Sequence, residues 1–534
     1  MRRHHWRKPL AIAFVAALVV AACGDDDDDG GSDATTAEAD GTAEPAATAG
    51  TAATEETTAT EETTATDETT ATDETTATEG TGGTETTEGG EAGAGEAADG
   101  ATPIDTTGFG LVDGIYKAGD LELDPADCPE DWDPAQGITD TDITLFQSLP
   151  TSGALAGFGL INDGINSYFE YVSANGGIDG RDVIVEAKDD GYAPDKTVTN
   201  VDEALGAGSY AGGVTILGTP NNLAIWDVMN DECMPELLNG TGAPQWGDID
   251  NHPWTTGMQL DYVSEAGLWA TWLSEEQPDV TTVAAITYNN DFGKAYEAGF
   301  AAAIEGTDIE VVAQEFHEPT APDLTNQFTT MAATGAEVLL IETTGAFCTQ
   351  AMGEVEKNTD WNPIVIMSAT CASLSQFFQP LVDQGLTGAG THLIQSFKDV
   401  NDEAYADDEF VQLFHETVKA QGLDDTQTTY ATGWVYAIYL EHILRTAATF
   451  EGGLDRGNIA LAARFISTNN PLAIDGLTQY TDGYDDAYLI EGGRLVEYQV
   501  TDPTAIGTLT PVSDVIDNNG SIGTYTDFLE GAGG

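Results

Sequence analysis

The sequence predicts an α/β protein built as two doubly wound parallel-sheet lobes. Three observations predict it. From Asp142 to Met367, short runs rich in Val, Ile and Thr alternate with segments whose apolar residues recur at helical spacing. The alternation runs through twice, with a break at His252-Pro253-Trp254. Strands separated by helices of this length pair in parallel through right-handed crossovers, so two series imply two sheets.

The first series opens with Ile143-Thr144-Leu145-Phe146 and the turn Pro150-Thr151-Ser152-Gly153. A helix follows, marked by Leu155, Leu160, Ile161, Ile165, Tyr168, Phe169 and Val172. Asn175-Gly176-Gly177 ends it with a left-handed cap. Val183-Ile184-Val185 is the next strand, and a helix spans about 193–205. The strand 213–217 leads into the turn Gly218-Thr219-Pro220-Asn221, a further helix, the strand 234–238 and the turn Asn239-Gly240-Thr241-Gly242. In the second series, helices at 262–273, 292–304, about 328–331 and 349–356 alternate with strands at 282–287, 309–312, 338–341 and 364–367. A strand at 391–397 and long helices at 408–421 and 430–450 come next. Near the end, 487–490 and 495–498 flank Glu491-Gly492-Gly493, the pattern of a hairpin with a glycine turn. In doubly wound sheets, ligands bind beyond the carboxyl ends of the strands.

The N-terminal part has a different character. Arg2, Arg3, Arg7 and Lys8 precede an apolar run from Leu10 to Ala22, too short to span a bilayer but suited to the core of a signal peptide. The run ends in Val20-Ala21-Ala22-Cys23, which resembles the bacterial lipobox and implies cleavage before Cys23 and diacylation of its sulfur. Two or more acyl chains hold a protein durably on a membrane. Between Gly24 and Thr107 there are 24 acidic residues, no Lys or Arg, and a repeated T-A-T-[D/E]-E-T theme. Such a segment cannot bury enough apolar surface to offset its chain entropy, and reads as a disordered tether. As a flexible coil it would span at least roughly 50 Å.

The whole chain carries 92 acidic against 16 basic residues, a formal net charge of −76. That excess excludes nucleic acid and anionic membrane surfaces as partners, leaving the lipid anchor as the route to the membrane. Four cysteines remain beside Cys23 and allow three pairings. Cys348 and Cys371 each follow one of two consecutive strands. If those strands are neighbours, the two cysteines share an edge, so we pair Cys348 with Cys371 and Cys128 with Cys233. No Cys/His spacing suggests a metal, and no cofactor is expected. G-x-S-x-G, H-E-x-x-H, P-loop and G-x-G-x-x-G motifs are absent, and the histidines of the body are scattered, which argues against an enzyme.

Several short stretches carry a resemblance when taken in order. They are Leu149-Pro150-Thr151-Ser152-Gly153 with Ala156 and Gly159, Asn175-Gly176-Gly177-Ile178-Asp179-Gly180-Arg181, Asp189-Asp190 and Asp231-Glu232-Cys233-Met234-Pro235. Asn290-Asp291-Phe292-Gly293 and Pro471-Leu472 through Gly476-Leu477 complete the set. From about Ile138 to Val500 the chain resembles the type I periplasmic binding proteins, in the leucine/isoleucine/valine-binding branch of ABC transporter substrate-binding proteins. The resemblance implies two lobes joined by a three-segment hinge that closes on a ligand. It also implies ligand contacts. Thr151 and Ser152 follow the first strand. Thr219, with Pro220 and Asn221 in the same turn, receives a ligand carboxylate, and Gly240 and Thr241 lie beside it. Phe292 covers the ligand, with Phe347 near a second aromatic position. Amino-acid binders of this branch place an acid for the ligand ammonium after the strand 364–367. Here the residues are Ala369-Thr370-Cys371, with no acid, so Thr370 stands near that place; a nearby Glu342 is either the substitute acid or a strand-end surface residue. The ligand classes left open are a branched-chain amino acid, an amide or a small carboxylate.

The expected organisation is therefore a signal peptide at 1–22, a tether at 23–107 and an N-terminal extension at 108–138. Lobe 1 takes 139–256 and 390–474, lobe 2 takes 257–389 and 475–505, and 506–534 is a tail. The role implied is capture of a small molecule outside the cytoplasm for delivery to ABC permease subunits. A receptor module presenting its ligand to a sensor protein would use the same clamp.

Overall fold

A computed structural model of the chain describes residues 103–520 and 522–532. The proposed signal peptide, the lipidation site Cys23 and nearly all of the tether lie outside the described residues.

The described chain begins with a small antiparallel meander, β1 (Gly110–Val112), β2 (Ile115–Ala118) and β3 (Leu121–Leu123). These strands form the core of the expected N-terminal extension, and their turn signal is present in the sequence. Asp113 and Gly114 both take positive φ, as a two-residue hairpin loop requires. Phe109 packs edge-on against Phe450 and Phe465, which seats the meander on the first lobe.

Lobe 1 has a five-stranded parallel sheet in the order β5-β4-β6-β7-β8. Its strands are β4 (Asp142–Leu149), β5 (Asp182–Asp189), β6 (Gly213–Val214), β7 (Glu236–Asn239) and β8 (Thr255–Gly257), with helices α1 (Leu160–Ala174), α2 (Pro194–Ala207), α3 (Thr219–Leu223) and α4 (Trp226–Asp231) between them. Lobe 2 repeats the same winding in the order β10-β9-β11-β12-β13. It contains α5 (Tyr262–Glu276), β9 (Thr282–Tyr288), α6 (Asp291–Ala303), β10 (Glu310–His317), α7 (Thr325–Thr334), β11 (Val338–Glu342), α8 (Ala346–Lys357), β12 (Ile364–Met367), α9 (Gln379–Asp383) and β13 (Thr391–Gln395). The chain then returns to lobe 1 as α10 (Glu409–Ala420), α11 (Thr428–Thr449) and α12 (Arg456–Ala462). It finishes with β14 (Gly492–Gln499), β15 (Thr508–Pro511), β16 (Ile516–Asp517) and α13 (Tyr525–Ala532).

Two expectations need correction. The strand expected at the start of the return into lobe 1, 391–397, belongs to the second sheet, where β13 pairs in parallel with β12. The chain crosses between lobes after that strand, not before it. The expected hairpin around Glu491-Gly492-Gly493 does not form, because 487–490 is not a strand. Gly492 and Gly493 instead begin β14, where neighbouring backbone comes too close for a side chain. A Cβ on Gly492 would lie 2.2 Å from the Ile516 carbonyl oxygen, and one on Gly493 2.9 Å from that of Gln395. In a strand interior glycine marks such an approach as readily as a turn. The antiparallel edge is nevertheless present, since β14 pairs antiparallel with both β13 and β15.

The core of lobe 1 depends on α1 crossing α11 at backbone contact. A Cβ on Gly433 would lie 2.4 Å from the Ile161 carbonyl oxygen, and one on Gly164 2.3 Å from that of Tyr430. α11 is buried almost all round, with Trp434, Tyr436, Tyr439 and Leu440 each nearly inaccessible. That explains why its apolar pattern lacks a polar stripe.

Both expected disulfides are present. Cys348 and Cys371 are joined with Cα atoms 5.8 Å apart, following the neighbouring parallel strands β11 and β12. Cys128 and Cys233, 105 residues apart in sequence, tie the N-terminal extension to the end of α4. Loop-closure entropy makes the longer loop the more valuable cross-link. Replacing Cys128 and Cys233 by Ser should cost about 5 kcal/mol, and replacing Cys348 and Cys371 about 3 kcal/mol. Urea unfolding of the two double variants checks the order.

Candidate functional site

The strand order in each lobe reverses direction beside its first strand, and such switch points open a crevice at the carboxyl ends of the strands. The crevices of the two lobes face each other across a cavity of about 220 Å³. Lobe 1 contributes Phe158, Leu217, Gly218 and Gly240; lobe 2 contributes Phe292, Thr370 and Phe377. The floor comes from the crossings, 258–262 and 394–399, and from the first turns of α11.

The lobes are closed on each other. Tyr192 of lobe 1 meets Tyr288 of lobe 2 at 6.1 Å between ring centroids, and Phe158 meets Phe377 at 6.2 Å. Gly345 at the start of α8 has no room for a side chain, because a Cβ there would lie 2.9 Å from Cγ of Leu155.

The residues singled out from sequence divide into three groups. Gly240, Phe292 and Thr370 line the cavity. Thr219 and Thr241 lie just behind the wall, buried, with their hydroxyls 2.6 Å apart; the Tyr262 hydroxyl donates to Thr241 at 3.4 Å. The rest are elsewhere. The Thr151 N–H and the Ser152 hydroxyl both donate to the Asp189 carboxylate at 2.8 Å on an exposed turn. These bonds, the Ser152 hydroxyl first, hold the Asp189 carboxyl down at about 2. Asn221 is buried and donates to the Thr197 hydroxyl at 2.7 Å. Pro220 occupies the first turn of α3. Phe347 packs beneath the cleft, 4.3 Å from the His317 ring.

Sequence reasoning missed the charged groups of the cavity wall, Glu265, Lys398 and Asp399. Glu265 is in the first turn of α5, whose N-cap Asp261 accepts from Val263 and Ser264 N–H groups. Its carboxyl accepts the Tyr296 hydroxyl and the Ala369 N–H, each at 2.7 Å. Burial pushes it up to about 8. Glu342, the acid noted from sequence, accepts the Thr287 hydroxyl at 2.5 Å between strands rather than reaching the cavity, and burial pushes it too up to about 8. Asp399 accepts the Leu374 N–H at 2.8 Å and the Asn401 N–H at 2.9 Å, and burial raises it to about 6. Lys398 is paired with Asp408 at 2.7 Å and donates to the Pro471 carbonyl at 2.9 Å. A spacing signal for Glu265 existed only in the capped helix start, Asp261-Tyr262-Val263-Ser264-Glu265. For Lys398 and Asp399 the signal required knowing where the chain crosses.

A buried acid with a raised pKa binds a proton in the folded state that it has lost in the unfolded chain at the same pH. Its stabilising effect is complete below the unfolded value, near 4.5, and is lost as pH rises through the folded value. The melting temperature should therefore fall between about pH 5 and pH 8, and Glu265→Gln with Glu342→Gln should flatten the profile. Scanning calorimetry across that range checks it; an unchanged slope in the double variant contradicts it.

The comparisons with known proteins agree with this geometry. A family model described as periplasmic binding protein matches residues 147–487. No curated protein matches the chain in sequence. Among solved structures, a branched chain amino acid ABC transporter protein from Thermus thermophilus with bound valine superposes with a TM-score of 0.62 at 13% identity, covering 72% of this chain and 99% of its own. A fatty acid ABC transporter substrate-binding protein from Thermomonospora curvata gives 0.60 at 17%, covering 72% and 95%. A solute binding protein of an ABC transporter from Rhodopseudomonas palustris HaA2, in complex with p-hydroxybenzoic acid, gives 0.58 at 14%, covering 71% and 97%. Among the described residues no helix is long and apolar enough to cross a membrane. The match over most of the folded chain, the doubly wound pair of sheets and the shared cavity together place this protein, which is not an enzyme, in the type I periplasmic binding protein family.

Proposed function

We propose that this chain is the extracytoplasmic substrate-binding lipoprotein of an ABC importer, anchored through Cys23 and capturing a small molecule between its lobes. The observation that carries the reading is a cavity walled by both lobes and by the chain crossings between them. A ligand there touches both halves, so it binds the closed form better than the open one. That differential affinity is what shifts a two-state clamp towards closure. A permease that recognises the closed pair of lobes then receives only loaded protein.

The ligand contacts proposed are Gly240, Phe292 and Thr370 in the wall, with Thr219 and Thr241 supporting it from behind. Thr151, Ser152, Pro220, Asn221 and Phe347 act as scaffold. The lipobox-like Val20-Ala21-Ala22-Cys23 supports the anchor, and the acidic segment after it supports a standoff between the body and the membrane. Solved relatives of this fold carry names that span valine, fatty acid and p-hydroxybenzoic acid, so the fold accommodates ligands of very different polarity.

Cell fractionation and uptake test the reading. Cys23→Ser should move the protein from the membrane to the soluble fraction. Deleting the gene should abolish uptake of whichever compound raises the protein's melting temperature, as mass action requires of a ligand bound to the folded state. Undiminished uptake in the deletion strain contradicts the importer role, and membrane retention of Cys23→Ser contradicts the anchor.

A further inference from the structure

We propose that the cleft selects compounds with an aromatic or branched aliphatic body and a single neutral or anionic polar end, and rejects free α-amino acids. This rests on the capture reading above and specifies its ligand class.

The first observation is the wall. Phe158, Leu217, Phe292, Phe377, Val435 and Leu509 face the cavity from both lobes, from α11 and from β15. Leu509 lies beyond the residues matched by the family model, and its N–H donates to the Asp402 carboxylate at 2.9 Å. The C-terminal segment of this chain therefore adds apolar surface to the hinge end of the site. A body that is largely apolar gains from burial in proportion to the area it covers there.

The second observation concerns charge. An amino acid brings an ammonium group, and losing its water is tolerable only against an acid or several free carbonyls. Two acids line the cavity, and each oxygen of both already accepts a hydrogen bond from the protein. Glu265 has one carboxyl oxygen on the Tyr296 hydroxyl and the other on the Ala369 N–H. Asp399 has one oxygen on the Leu374 N–H, the other on the Asn401 N–H, and both within reach of the Thr428 hydroxyl. Burial also pushes the Glu265 carboxyl up to about 8, which weakens it as a partner for a cation. The cation of the wall, Lys398, is taken up by Asp408 and the Pro471 carbonyl. The partners most open to a ligand's polar end are neutral, among them the side chains of Thr344, Thr370, Ser373 and Thr429. Hydroxyls satisfy a carboxylate, amide or phenol without a counter-ion, but they are poor sole partners for an ammonium.

Matched pairs that differ only in the α-amino group give the test. Calorimetry on the purified full-length protein compares 3-phenylpropionate with L-phenylalanine and 4-methylpentanoate with L-leucine, with L-glutamine as a polar probe. The expected result is that at least one deaminated compound binds at least about tenfold more tightly than its parent amino acid, a difference of about 1.4 kcal/mol. An amino acid binding as tightly as its deaminated partner, or tighter, overturns the ligand class and leaves capture intact. So does binding confined to L-glutamine. Binding of none of the five overturns the ligand class as stated, whereas failure of the capture reading shows separately in the uptake of the deletion strain.

Discussion

The structure depends on how the chain passes between its two sheets. The second crossing, after β13, and the third, before β14, lie side by side and antiparallel. Lys398 N–H donates to the Leu472 carbonyl at 2.8 Å and Ile474 N–H to the Ser396 carbonyl at 3.1 Å, around the bridge between Phe397 and Ala473. Two crossings stitched together in this way, with the first at 258–261 beside them on the cavity floor, allow the lobes to rotate about one edge while forbidding them to separate. Everything functional follows from that restriction. The cavity has its floor at the hinge, its walls at the strand tips and its mouth where Tyr192 meets Tyr288 and Leu155 meets Gly345. A clamp hinged along one edge can release a ligand only by opening the other.

The same region shows how the protein partners the charges it buries. Asp399 gathers N–H groups from Leu374 and Asn401, and Lys398 meets Asp408, so the hinge carries charge with local compensation. Buried arginines do similar work outside the cleft. Arg464 donates to the carbonyls of Pro253, Trp246, His252 and Thr255, holding the loop before β8 against the segment after α12. Arg456 donates to the Cys233 carbonyl and lies over the Trp132 ring, 5.4 Å from its centroid. A planar guanidinium with five donors suits a site where several carbonyls converge. The C-terminal segment adds another tie, because β16 pairs with β14 of lobe 2 while the Ala487 N–H meets the Gly523 carbonyl and α13 reaches residues 244–247 of lobe 1.

Most of the fold was legible in the sequence because βα alternation is a local pattern. Ile143–Phe146, Thr282–Thr287 and Val338–Ile341 are apolar runs flanked by helices with clear periodicity, and each became a strand. The pairing of Cys348 with Cys371 followed from the adjacency of two strands. What failed was non-local. Nothing in Thr391–Phe397 says which sheet it joins, since a parallel strand looks alike in either lobe. Gly492 and Gly493 permit a turn and a close backbone approach equally well, and only the position of Ile516 decides between them. The site was half legible for the same reason. Gly240, Phe292 and Thr370 sit at strand tips that the topology forces together. Phe347 and Asn221 sit at similar tips but turn into the core, and Glu265, Lys398 and Asp399 reach the cavity through crossings whose path the sequence leaves open.

Closure about the hinge is the central claim, and a distance across the cleft tests it most directly. Asp195 on α2 and Lys294 on α6 are exposed and lie on opposite lobes. Spin labels on Asp195→Cys and Lys294→Cys, read by pulsed electron resonance with and without a compound that raises the melting temperature, report the separation of the lobes. The account predicts a broad, longer distribution without the compound that contracts to a narrow, shorter one with it. A single distribution that does not change when the compound binds would contradict it.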